Sequence, residues 1–146
     1  MAMDGIFFDE APYEYSAEAA AYMDTVDEAA KNSSGLQGNR TVIHNPGTVP
    51  STLFNLSTTD ITVVFEDAYY AYWSQLSSLS SLPLARTHYS QIIHSIPAKK
   101  DSSGDLQHLV DQMSQHAAYL FLTVRSMDPY EGFAANWTKF IDVMPS

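Results

Sequence analysis

An α/β fold of parallel strands joined by crossover helices is predicted by three features of this sequence. Short apolar runs alternate with longer stretches of helical periodicity, so the chain reads as strand then helix five times over. The strand-like runs are apolar almost throughout rather than every second residue, the pattern of strands covered on both faces. Turn-forming Gly, Pro, Asn and Ser clusters separate the pieces. At 146 residues the chain has the usual length of one domain, and it is long enough to bury a real core.

The first strand is Gly5-Ile6-Phe7-Phe8, expected to be buried on both faces and to need a neighbour on each side. A helix follows over 15–31, with Ala19, Tyr22, Met23 and Val26 on its apolar face, acids on the other, and Ser16 as its cap. The loop 32–39, holding Gly35 and Gly38, ends it. Thr41-Val42-Ile43 is a second strand, stopped by the turn Asn45-Pro46-Gly47. Residues 49–56 are expected to hold a short helix. A third strand covers 61–65, and a helix over 68–79 carries Tyr69, Tyr72, Trp73, Leu76 and Leu79. Strand four is 91–96, followed by a helix over 106–117 and strand five over 119–124. Tyr130, Phe133, Trp137 and Phe140 are spaced for a closing amphipathic helix.

A net charge of −10, from 17 acidic against 7 basic side chains, opposes binding to phosphate backbones and to anionic membranes. Nucleic-acid and membrane partners are therefore not expected, whereas a neutral or cationic ligand is compatible. The absence of cysteine removes disulfides, thiolate metal sites and thiol nucleophiles. No apolar run reaches the length of a membrane span, and no signal peptide is recognised at the start of the chain. Glycosylation acceptor triplets begin at Asn32, Asn39, Asn55 and Asn136, and together they point to an extracellular or cell-wall parent protein.

Parallel α/β folds bind ligands at the carboxyl ends of their strands. The residues at those exits are Asp9 and Glu10, His44 and Asn45, Glu66 and Asp67, His94 and Ser95, and Thr123 and Arg125. Wet loops explain polar residues in general. They do not explain acids directly abutting wholly apolar strands, where an unpaired carboxylate is costly. Two carboxyl groups across a cleft are what glycosidic bond cleavage requires, one to protonate the leaving oxygen and one to act ionised. Successive residues on a regular strand point opposite ways, so only one of Asp9 and Glu10 faces the site directly. His44 and His94 could join Glu66 or Asp9 around a metal, but no tight ligand spacing supports that, and neither metal nor cofactor is expected. Nor is there a GxSxG, P-loop or GxGxxG string. Flat rings stack on sugar faces; Tyr69 or Tyr70, close behind Glu66, are candidates, while half of that helix's aromatics are ordinary helix-to-sheet packing.

The strings Gly5-Ile6-Phe7-Phe8-Asp9-Glu10, Asn45-Pro46-Gly47-Thr48 and Phe65-Glu66-Asp67-Ala68-Tyr69 together resemble the spherulation-specific family 4, or spherulin-4-like, proteins of fungi and other microbes. The resemblance runs through nearly all of the chain. It implies a partial TIM (β/α)8 barrel, with residues 1–146 forming one truncated domain that corresponds to about the last five strand–helix units. It also implies a secreted glycosidase acting on galactosamine-containing, galactosaminogalactan-type polysaccharide. By the same resemblance Asp9, Glu10 and Glu66 match the catalytic acids, with Asn45 and the Tyr69 region as substrate-facing support; His44 and His94 are binding candidates by their place at strand ends.

Two departures from the family pattern accompany the match: His44 stands where an aromatic residue is usual before Asn-Pro-Gly, and Thr123 is followed by Val124 and Arg125 where an acid is usual. The rival expectation is a non-catalytic carbohydrate-binding or spherulation-associated structural protein using the same strand ends.

Overall fold

The computed structural model describes residues 3–54 and 57–145. Its strands follow chain order, β1-β2-β3-β4-β5, and the chain divides into two compact units, Met1–Val64 and Phe65–Ser146.

In the first unit, β1 (Met3–Asp9), α1 (Ala17–Asn32) and β2 (Leu36–Asn45) form a strand–helix–strand unit, and β3 (Ile61–Ala68) begins at its end. β1 and β2 are parallel, with Ile6 opposite Val42, Phe8 opposite His44 and Asp9 opposite Asn45. β2 and β3 are also parallel, pairing Ile43 with Ile61 and His44 with Thr62. Gly5 stands opposite Thr41 in register, and a Cβ there would run into the Thr41 carbonyl oxygen. Ala30, Leu36 and Val42 form a buried cluster in this unit, with Ile6 and Phe8 packed against it.

β1 departs from expectation. None of its described residues is fully buried, and Phe7 is 49% exposed, because β1 ends the strand order with β2 beside it. The Ser16 hydroxyl caps α1 as expected, accepting from the Ala19 amide at 3.0 Å. The inward face of α1, however, is Met23, Asp27 and Ala30, while Tyr22 is exposed. An acid therefore occupies the face on which only apolar residues were expected. No helix forms at 49–54, and the last two positions expected in it, 55 and 56, lie outside the described residues. Ser51 instead donates its amide to the Tyr13 carbonyl at 2.9 Å, and Phe54 meets Tyr15 edge to face. These contacts hold the segment to the loop before α1 in place of helical bonds.

The second unit opens on the end of β3, which passes directly into α2 (Tyr69–Ser80). There follow β4 (Tyr89–His94), α3 (Ser103–Met113), β5 (Tyr119–Leu122) and α4 (Trp137–Asp142). β4 and β5 are parallel, from Ser90 opposite Tyr119 to Ile93 opposite Leu122. The buried residues of α3, Leu106, Leu109, Val110 and Met113, show the i, i+3, i+4, i+7 spacing of one helix face. Ser102 caps that helix through the Asp105 amide at 3.1 Å.

The closing helix is shorter than the aromatic spacing predicts. Tyr130 and Phe133 lie ahead of it and are exposed. Two turns occupy the preceding segment, with the Glu131 amide bonded to the Asp128 carbonyl and the Trp137 amide to that of Ala134. Asn136, fully buried, accepts from the Val124 amide at 3.4 Å, which ties the helix start to the strand exit.

Candidate functional site

At the end of β1 the strand delivers Asp9, and the next residue leaves the strand in the left-handed region, Glu10 having a φ of 52°. Strand alternation thus stops at Asp9, and both acids are exposed. Asn45 stands opposite Asp9 in register and donates from Nδ2 to Asp9 Oδ1 at 2.8 Å. The Asn45 carbonyl oxygen, Oδ1, accepts the Gly47 amide at 3.0 Å. This local bond follows from the sequence: Pro46 has no amide hydrogen, and Gly47, at φ 67°, takes the positive φ that a glycine adopts freely. With Oδ1 committed to the turn, the amide nitrogen is aimed at Asp9. Asn45 itself is 5% exposed.

Beneath this strand end lies a buried polar network that the sequence did not reveal. Asp27 Oδ1 is 2.6 Å from His44 Nε2, and Asp27 Oδ2 accepts from Thr59 at 2.8 Å and Thr58 at 3.1 Å. The second ring nitrogen of His44 faces Thr59 Oγ1 at 3.4 Å, and Phe8 meets the imidazole edge to face with centroids 5.7 Å apart. Burial opposes ionisation of Asp27, but the hydrogen bonds from His44 and Thr59, the His44 charge and the bond from Thr58 outweigh it and hold the carboxyl below its ordinary range. His44 was expected to face substrate. At 5% exposure, with both ring nitrogens engaged inside the protein, it supports the strand end instead. Asp27 and His44 also line a recess with Ala11, Met23, Pro46 and Phe54. One signal in the sequence could have located Asp27, namely its helical spacing of four from Met23 and three from Ala30.

In the second unit Glu66 lies within β3, half-buried, and accepts a hydrogen bond from the Tyr130 hydroxyl. The Tyr130 ring is stacked on Phe121, at 6.2 Å and 29° between planes. Asp67 is exposed, and its carboxylate accepts from the Ala68 amide where β3 gives way to α2. Tyr69, expected near substrate, is 8% exposed and packs edge to face on Tyr70 and Trp73; helical rotation turns Tyr70, the next residue, outward. His94 ends β4 half-buried, with Nδ1 2.8 Å from Ser95 Oγ. Ser95 has a φ of 56° and donates its amide to the Arg125 carbonyl at 2.9 Å, joining the exits of β4 and β5.

Among the acceptor triplets, Asn32 and Asn39 are exposed, and Asn55 lies outside the described residues. Asn136 is wholly buried and has no room for a glycan, so the expectation there is corrected. Among the described residues no cluster of three or more His, Asp or Glu side chains has the arrangement to hold a metal ion, and no helix is long and apolar enough to cross a membrane.

Comparison with known proteins places these strand ends in context. The sequence profile described as Spherulin4, spherulation-specific family 4, matches residues 1–144. No curated protein sequence matches the chain. Among solved structures, Aspergillus clavatus Sph3 in complex with GalNAc is similar, with a TM-score of 0.89 and 38% identity over 97% of this chain. The chain spans 56% of the length of that protein. The fold is accordingly α/β, with parallel strands corresponding to about the last five strand–helix units of a (β/α)8 barrel.

Proposed function

This chain belongs to spherulation-specific family 4, and on that basis we propose that it is a glycoside hydrolase-like protein acting on galactosamine-containing, galactosaminogalactan-type polysaccharide. Asp9 or Glu10 serves as nucleophile or stabiliser, and Glu66 takes the complementary acid/base role. The observation that carries this reading is the Asn45 amide held on Asp9. A carboxylate at a strand exit, oriented by a side chain whose other end is committed to a turn, is arranged as reactive acids are, with little reorganisation left to the moment of reaction. Further support comes from Glu66, likewise held by a hydroxyl donor, and from the GalNAc bound to the similar Sph3 structure.

His94 is the remaining histidine candidate for a sugar contact, being half-buried at a strand exit. His44 and Tyr69 act behind the surface. Residues 1–146 belong to a single family domain of an extracellular or cell-wall fungal parent, a reading to which the exposed Asn32 and Asn39 acceptors contribute. Replacement of Glu66 by Gln removes the titrating proton at nearly constant shape. It should lower the rate of reducing-end release from a galactosamine polymer by about 10²–10⁴-fold, the usual contribution of a general acid or base. Activity retained at the wild-type rate would exclude Glu66 from catalysis.

A second reading is favoured by the GalNAc bound to the similar Sph3 structure: a carbohydrate-binding protein that holds such sugars without cleaving them. Saturable binding of the polymer with no release of reducing ends, in wild type and Glu66→Gln alike, is its signature.

A further inference from the structure

The segment between β5 and α4 carries the most exposed aromatic surface of the second unit. Tyr130 is 58% exposed and Phe133 is 74% exposed. They are not isolated. Tyr130 stacks on Phe121, Phe121 meets Trp137 at 6.2 Å, and Phe133 lies 4.4 Å from Trp137. Trp137 in turn packs edge to face on the buried Phe140. The outer rings are thus continuous with the core, and Phe121 backs one face of Tyr130.

The backbone beneath them is pinned. Arg125 Nε donates to the Asp128 carbonyl at 3.2 Å and the Arg125 amide to Thr123 Oγ1 at 3.2 Å. Asp128 turns the chain at a φ of 46°, and the buried Asn136 ties the end of the segment to Val124. Backed rings on a braced loop lose little freedom when a ligand settles on them, which is what favours binding to exposed apolar surface.

The Tyr130 hydroxyl joins this surface to the Glu66 carboxylate. We propose that Tyr130 and Phe133 form a stacking platform for a ring of an amino-sugar oligosaccharide, next to the acid assigned to bond cleavage. This deepens the function proposed above and rests on it. The apolar face of a pyranose ring matches the flat rings. The ammonium of galactosamine complements a chain of net charge −10. The sequence pointed to Tyr69 or Tyr70 for stacking; Tyr69 is enclosed and Tyr70 is exposed, while of these rings it is Tyr130, after β5, whose hydroxyl is bonded to Glu66.

The test is binding of a galactosamine oligosaccharide, and separately of its fully N-acetylated counterpart, by titration calorimetry and by Trp137 fluorescence in a Trp73→Phe background. Tyr130→Phe keeps the ring and should bind within about twofold of wild type, whereas Tyr130→Ala and Phe133→Ala should each weaken binding about tenfold. Circular dichroism of each variant checks that the fold persists, and Tyr130→Phe supplies a conservative variant if an alanine variant fails to fold. A stronger loss for the cationic oligomer would identify the free amino sugar as the ring received; equal losses would identify the pyranose face alone, and either supports the platform. Wild-type affinity in both alanine variants overturns the platform and leaves the carbohydrate reading standing. No binding of either oligosaccharide by the wild type sinks both. A concentration-dependent dimer abolished by Phe133→Ala would overturn the proposal by assigning the surface to a second copy of the chain.

Discussion

Asp27 and His44 show how a single pair of residues can govern a strand end. Their contact is buried, hydrogen-bonded on both carboxylate oxygens, and one residue away from Asn45, which holds Asp9. Removing one member leaves the other enclosed without its partner. Asp27→Ala should therefore destabilise the protein by about 3–5 kcal/mol, the usual result of breaking a buried polar pair from one side. The double variant Asp27→Ala/His44→Leu should recover part of that loss, since no polar ring is then left unsatisfied. Urea unfolding of the three proteins measures both effects, and equal stability of the single and double variants would show that the pair does not act as a unit.

Elements are limited by how closely their backbones can approach. β1 and β2 come together at Gly5 and Thr41, where the missing Cβ leaves room for a carbonyl oxygen. The obstruction met by Gly5→Ala is backbone, which has no rotamer to escape into, so the strands must separate or shift. A loss of about 1–3 kcal/mol is expected, the range found for overpacked cores. A thermal midpoint equal to that of wild type would show that the strands are not held so closely. The helices follow more ordinary rules: Ser16 and Ser102 cap α1 and α3 through their side-chain oxygens. The closing helix does not follow its aromatic spacing, the residues ahead of it being taken up by two turns.

For the molecule as a whole, the lowered carboxyl of Asp27 has a direct consequence for stability against pH. A carboxyl whose proton affinity is lower in the folded than in the unfolded chain stabilises the fold while ionised. Its contribution is fully present above the unfolded value, about pH 4, and is lost as the pH falls through the lower folded value. Wild-type stability should decline with acid through this window, and the decline should be shallower in Asp27→Ala. Parallel acid-unfolding curves for the two proteins would remove Asp27 as a source of the acid sensitivity.

Local pattern alone specified the order and type of the principal strands and helices and the parallel class of the fold. The run 61–65 and the spacing of Leu106, Leu109, Val110 and Met113 are features that no distant neighbour has to complete. The place of Asp9 and Asn45 at the ends of β1 and β2 was legible for the same reason, since an apolar run's end and an Asn-Pro-Gly turn are read from adjacent residues, whereas Glu66, expected just past its strand, lies within β3. The polar partners that serve each strand end were settled instead by long-range folding. Asp27 gathers His44, Thr58 and Thr59 from positions 17, 31 and 32 residues further along the chain, and Tyr130 reaches Glu66 across 64. A carboxyl can be enclosed only where donors have been brought to it. Bringing together donors from separate segments is done by the packed chain, so nothing in the residues beside Asp27 marks which they are.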